Sequence, residues 1–153
     1  MRTFDPEPEH RVESSRAFAV APEALFAAWA DPERLARWWG PAGFRNEFER
    51  FEPRPGGEWR FVMVGPAGDR HANVWRFLEV EPGRRVLACH DCEPYFTMEM
   101  RYSAEGAGSR LTWLARFDSA DFLRKMRGFL AEKNEENFDR LEAELGRVTG
   151  GAS

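Results

Sequence analysis

Cysteine and histidine come together once in this chain, in the run Cys89-His90-Asp91-Cys92. A CxxC pair can cycle between dithiol and disulfide, or supply half of a tetrahedral zinc site with His90, Asp91 and the more distant His71 as further ligands. No second pair completes such a site, and residues three apart on an extended strand point to opposite faces. The pattern therefore favours reduced structural thiols and no metal. General acid/base chemistry needs a group that titrates near neutrality, and His71 and His90 are the residues placed to supply it, since His10 falls in a polar leader. No nucleophile motif, spaced carboxylate pair, phosphate loop or dinucleotide fingerprint occurs, and no cofactor is implied.

The stronger chemical signal is apolar. Trp59, Phe61 and Met63 alternate with charged or polar neighbours, as do Phe96, Met98, Met100 and Tyr102, and again Leu111, Trp113, Ala115 and Phe117. Side chains alternate across a strand, so these rows describe a sheet with one wet face and one bulky apolar face. Aromatic residues make up 14% of the chain, 13 Phe and 6 Trp against 2 Tyr, which favours contacts made by ring area over hydroxyl bonding. A space walled by Trp59, Phe61, Met63, Trp75, Phe96, Met98, Met100, Trp113 and Phe129 would hold a small hydrophobic or aromatic molecule. Polar anchors for it are His71, Asn73, His90, Lys133 and Asn137. His71, Asn73 and Trp75 share one strand parity, while Ala72, Val74 and Leu78 compete for the inward face, and the pattern leaves that choice open.

These side chains need a lid. Asp121 to Arg147 has no internal proline and carries Phe122, Met126, Phe129, Leu130, Phe138, Leu141 and Leu145 at helical spacing. At 1.5 Å per residue such a helix runs roughly 40 Å, enough to cross several strands. Its apolar stripe is interrupted by Lys133, Asn134 and Asn137. Inward polar groups are costly unless bonded or wet, so the helix either passes over a solvent-accessible opening there or tilts away from the sheet.

Upstream, Arg11 to Val20 reads as a first strand, Pro22 opens a helix with Leu25, Phe26 and Trp29, and Asp31-Pro32 caps a second short helix through Trp38. Six strands follow, at about 44–51, 57–64, 70–80, 85–91, 96–105 and 110–117, separated by Gly- and Pro-rich turns. Short connections imply an antiparallel meander. The expected organisation is one α+β domain over residues 11–147, a flexible leader over 1–10 and a flexible tail over 148–153. Net charge is −4 with acids and bases interleaved, which argues against nucleic acid as partner. No apolar run approaches the roughly 20 residues that span a bilayer, and the first residues lack a secretory core, so no membrane insertion and a cytoplasmic location are expected.

Several segments together resemble a known family. Phe18-Ala-Val-Ala-Pro-Glu-Ala-Leu-Phe-Ala-Ala-Trp is followed by Asp31-Pro-Glu-Arg-Leu-Ala-Arg-Trp-Trp-Gly-Pro-Ala-Gly-Phe. Pro55-Gly-Gly-Glu-Trp-Arg-Phe-Val-Met, Gly65-Pro-Ala-Gly and Phe138-Asp-Arg-Leu complete the set. In this order they resemble the activator of Hsp90 ATPase homologue branch of the START, plant-allergen and polyketide-cyclase superfamily, over nearly the whole chain. The tryptophan pair before Gly-Pro, seven residues after the Asp-Pro cap, is the most specific piece. The resemblance implies a helix-grip fold: a curved antiparallel sheet of six to seven strands around a long C-terminal helix, with two short helices after the first strand and a cavity beneath the long one. Where the family often has Gly-Trp before the final Asp-Arg-Leu, this chain has Lys133-Asn134, which puts a shared ligand in doubt and makes the cavity mouth more polar. Three roles follow: binding of a small hydrophobic molecule, cyclase- or hydrolase-like catalysis through a pocket histidine, or an Hsp90-type chaperone-interaction module. The Trp38-Trp39-Gly-Pro corner serves the last as an exposed patch, or else plugs the short helices onto the sheet. A homodimer is compatible with all three.

Overall fold

The computed structural model describes the backbone of residues 10–151 and the side chains of residues 10–147. Residues 1–9 of the expected leader and residues 152–153 of the expected tail lie outside the described residues. The elements run β1 (Arg11–Phe18), α1 (Pro22–Ala30), α2 (Pro32–Trp38), β2 (Arg45–Phe51), β3 (Glu58–Val64), β4 (Arg70–Glu81), β5 (Arg85–His90), β6 (Phe96–Glu105), β7 (Gly108–Phe117) and α3 (Ala120–Gly151). The order matches the sequence reading, with strand ends within about two residues. One difference lies at the end, where α3 continues past Arg147 to Gly151 because no proline intervenes.

Local rules explain the helix starts. Asp31 Oδ1 accepts the Glu33 N–H at 3.0 Å with proline next in line, and Ser119 Oγ accepts the Phe122 N–H at 3.0 Å. The strands form one antiparallel sheet in the order β1-β7-β6-β5-β4-β3-β2, a six-strand meander with β1 added to its last member. Register places the apolar rows on one face: Phe96 opposite Phe117, Met98 opposite Ala115, Met100 opposite Trp113. On the other side Trp59 faces Trp75, Phe61 faces Asn73 and Met63 faces His71. The open choice on β4 is thereby decided for the odd-numbered parity. Leu78 therefore points outward, and a bulge between Phe77 and Glu79 then shifts the inward parity to Val80.

The concave face is filled in two different ways. Toward β2 and β3 it is solid: Trp59 stacks on Phe61 at 4.7 Å, and Trp29 of α1 meets Phe51 at 5.3 Å and Phe77 at 5.6 Å, both edge-on. Toward β1, β6 and β7 the cover is α3, whose Leu123, Phe138, Leu141 and Leu145 are buried.

Polar bonds join α3 to the corner after α2. Asn137 Nδ2 donates to Trp38 O at 2.6 Å, and Asn137 Oδ1 accepts the Gly40 N–H at 3.1 Å. Arg140 donates through Nη1 to the carbonyls of Trp39 (3.2 Å), Gly40 (2.9 Å) and Pro41 (2.9 Å), and through Nη2 to Arg37 O at 2.7 Å. Gly40 has φ +98°, so the turn requires glycine; the end of the Met63 side chain packs where a Cβ would stand. One turn further along, the buried Glu144 carboxylate accepts from Arg37 Nε at 2.9 Å and Arg34 Nε at 3.1 Å. Burial alone would raise its pKa, but the hydrogen bonds from Arg37, Arg34 and Arg147 outweigh that and hold it at about 2.

Two measurements check this clamp. Arg140→Ala removes the donor of the Arg37 and Gly40 carbonyls, while Trp39 O keeps Asn46 Nδ2 and Pro41 O keeps the Phe44 N–H, and is expected to lower the unfolding free energy by about 1–3 kcal/mol in urea titration; Arg140→Lys restores little, because one ammonium cannot span the same carbonyls. Glu144 has a depressed folded-state pKa, so its contribution is complete above its ordinary value of 4.5 and lost as pH falls from there toward about 2. The stability gap between the native chain and Glu144→Gln therefore narrows across that window.

Candidate functional site

The apolar rows leave room at one place. The row Leu111-Trp113-Ala115-Phe117 narrows to a methyl group at Ala115, and opposite it α3 offers Leu130, Asn134 and Asn137 in place of large rings. A cavity of about 140 Å³ results. Its floor is Trp75, Phe96, Met98, Trp113, Ala115 and Phe117, with Val12 of β1 and Trp39 closing the sides. No charged side chain lines it. Asn137 spends both ends of its amide on the clamp, and Asn134 Nδ2 donates to Ser14 Oγ at 3.1 Å. The indole N–H groups of Trp29, Trp59, Trp75 and Trp113 are buried without an acceptor, enclosed among ring faces.

Of the wall residues expected from sequence, the structure brings Trp75, Phe96, Met98 and Trp113 together at the cavity, with Asn137 as the one anchor among them. Trp59, Phe61 and Met100 are at most 1% exposed and belong to the solid core, because Trp29, Trp39 and Phe48 occupy the space before them. Met63 packs beside Gly40. Phe129 is a correction: it is 52% exposed, on the outer side of α3, since the inward face runs through Leu123, Leu130 and Asn134. Lys133 also turns away, its Nζ 5.3 Å over the Phe129 ring and 3.2 Å from Glu136 Oε2. His71 is exposed and bonded to Asp69. The Trp38-Trp39 corner is buried, so its reading as an exposed patch is overturned. The gap in the helix stripe therefore lies over a cavity, with Asn134 and Asn137 facing it and Lys133 excluded. Val12, Trp39, Ala115, Phe117, Leu130 and Asn134 were outside the expected set. Ala115 and Phe117 stood in the quoted apolar row, and Asn134 in the interrupted stripe, so both carried a signal; Val12 and Trp39 become neighbours only through long-range pairing.

His90 sits one layer behind the cavity wall. Its ring stacks on Phe96 at 4.7 Å and meets Trp75 edge-on at 5.0 Å. Nδ1 lies 2.7 Å from Pro94 O and Nε2 lies 3.0 Å from Asn73 Oδ1. Burial lowers its pKa, against a smaller upward pull from the Pro94 and Cys92 backbone and from Asp91. The ring thus supports Phe96 and does not itself line the cavity. Cys92 Sγ lies 3.5 Å from His90 Nε2, while burial pushes the Cys89 thiol up, away from the reactive thiolate. Both cysteines are free, and among the described residues no cluster of three or more metal-ligating side chains occurs.

This geometry can be set beside known proteins. The family model described as "Activator of Hsp90 ATPase homolog 1-like protein" matches residues 19–146. The chain belongs to that family. A crystal structure of a Nitrosomonas europaea protein is similar at 24% identity and TM-score 0.84, covering 95% of this chain and 99% of that one. A Rhodobacter sphaeroides protein is similar at 25% identity and TM-score 0.83, covering 94% and 96%. The AHSA1 protein from Silicibacter pomeroyi is similar at 26% identity and TM-score 0.73, covering 90% and 99%. No curated protein matches. The α+β helix-grip architecture is thus common to this chain and its structural neighbours, and the chain is a START-like module of a generally ligand-binding kind. Among the described residues no helix is long and apolar enough to cross a membrane.

The placement of His90 makes a direct expectation. Its ring protons, followed by NMR across pH, titrate below the ordinary histidine value of 6.5. Because the folded-state pKa is lowered, the associated stability is present above 6.5 and falls as pH drops through that value toward the folded pKa. Titration at or above 6.5 would show the ring to be wetter than the structure has it.

Proposed function

We propose that the protein binds a neutral, single-ring aromatic molecule, or an aliphatic one of similar bulk, between the sheet and α3. The carrying observation is the cavity of about 140 Å³, walled by tryptophan, phenylalanine and methionine and free of charged lining groups. An apolar cavity of about 150 Å³ in another protein stays dry and takes benzene, so a space of this size suits one ring, whereas drug-sized ligands need roughly 300 Å³ or more. Ring walls give area and edge-on contacts, and Met98 adapts to the ligand outline. The Asn134 amide and the unpaired indole N–H groups of Trp75 and Trp113 are the polar groups of the wall residues that a ligand could use.

Two other readings have less support. Acid/base catalysis would need a histidine at the cavity, and both candidates lie elsewhere: His71 in solvent, His90 behind Phe96 with its nitrogens turned to Pro94 and Asn73. A chaperone-interaction role is carried by the family description alone, and the tryptophan corner that would have offered a contact patch is buried.

Benzene is the probe. Titration followed by tryptophan fluorescence and NMR shifts should saturate with a dissociation constant of about 0.1–1 mM, within the ceiling for six heavy atoms. Ala115→Leu fills the narrow place with apolar atoms and should weaken binding at least tenfold with the fold intact. Saturation unaffected by Ala115→Leu, or no saturation at all, would remove this reading.

A further inference from the structure

A second space lies against the first. A cleft of about 230 Å³ opens at the start of α3, lined by Pro94, Tyr95, Phe122 and Ser119 with Glu93 and Asp118 at its edge. Phe117 is the residue common to the linings of the cleft and the inner cavity. It is the last residue of β7, with its backbone fixed on both sides: it pairs with Phe96 across the β6–β7 ladder, and its carbonyl oxygen lies 3.0 Å from His10 Nδ1. Its ring is stacked on Phe96 at 4.6 Å, lies tilted against Phe122 at 5.5 Å, and is 6% exposed. Phe96 belongs to the inner cavity and Phe122 to the outer cleft, so the middle ring of the three stands between the two spaces.

We propose that Phe117 is a specificity-determining residue, a partition that limits the inner cavity to one ring and, when shortened, joins it to the outer cleft as a single elongated site. The inference rests on the single-ring reading given above and adds the residue that sets its size limit. The cavity and the cleft are each below the volume a two-ring ligand needs, and together they exceed it. Nothing else common to both spaces divides them, and a phenyl ring fixed at its backbone and packed between two others keeps the division rigid. The joined site has an acidic mouth: Glu93 and Asp118 make no ion pair among the described residues, so anionic two-ring ligands are disfavoured there.

The test uses neutral 4-biphenylmethanol beside benzene, on the full chain. The native protein should bind benzene, and 4-biphenylmethanol at least tenfold more weakly than Phe117→Ala binds it. Phe122→Ala, which widens only the cleft, should change 4-biphenylmethanol affinity less than twofold. Phe117→Leu should reproduce the gain in smaller measure, and it serves where the alanine variant fails to fold. If benzene binds the native chain and neither Phe117 variant gains affinity for the two-ring probe, the partition is wrong and the single-ring reading stands. If the native chain takes 4-biphenylmethanol as well as the variants do, Phe117 is no barrier. If benzene never saturates but Phe117→Ala still gains the two-ring ligand, the single-ring reading falls while the partition holds.

Discussion

The structure depends on a guanidinium that gathers carbonyls. The chain leaving α2 must reverse into β2 while keeping Trp38 and Trp39 inward, and the carbonyls of that reversal have no strand or helix to satisfy them. Arg140 and Asn137 supply the missing donors from α3, and Gly40 supplies the positive φ and the clearance beside Met63. Asn46 Nδ2 and the Phe44 N–H share the Trp39 and Pro41 carbonyls, and the rest depend on α3, so the long helix stabilises the corner. The Trp-Trp-Gly-Pro and Asp-Arg-Leu segments, far apart in the chain, are therefore two halves of one joint. That joint presses Trp39 against Trp59, Trp75 and Trp113 and sets where the solid core ends and the cavity begins.

The cavity follows from an imbalance of volume across the sheet. On the β2–β3 side, α1 delivers Trp29 and the α2 corner delivers Trp39, and the rings interlock with no remaining space. On the β1–β7 side α1 reaches only the far end, where Phe26 meets Tyr102, and over the cavity the cover is α3 with Trp39 beside it. There its stripe changes from leucine and phenylalanine to Asn134 and Asn137, whose amides are occupied with Ser14 and the corner backbone and do not reach down to the floor. Ala115 removes volume from below at the same level. The two small contributions meet because β7 and α3 are held in fixed relation by the clamp and by the β1 edge.

Much of this was legible from residue order. Alternation gave the strands nearly residue by residue, proline and aspartate marked the short helices, and the interrupted stripe of α3 located the cavity along the helix. What the pattern could not carry was contact between distant segments. The pairing of β1 with β7 brings Val12 to the cavity, yet local periodicity contains no register between strands about a hundred residues apart. Trp59, Phe61 and Met100 have the same parity and chemistry as the true wall residues; only the helices lying above them decide that their space is filled. Phe129 fell at an acceptable helical spacing, but a stripe two residues wide admits more than one face, and burial of Leu123 selects the other. The register of β4 was open because bulged strands change parity midway, as inward Phe77 and inward Val80 show.

A void is itself a statement about function. The space of about 140 Å³ is partly open to solvent, and its apolar walls there forgo contacts that a larger side chain would make. Substituting one larger apolar side chain at Ala115 would recover some of them, and the surrounding rings show that this chain has ample means to fill space elsewhere. Its lining is mostly rings and aliphatic groups, so water there makes few hydrogen bonds and is readily displaced by an apolar molecule. A ligand of matching bulk restores those contacts and, by binding the folded state alone, raises its stability in proportion to the logarithm of its concentration over the dissociation constant. The same packing deficit that weakens the empty fold is thus the source of affinity for whatever fills it.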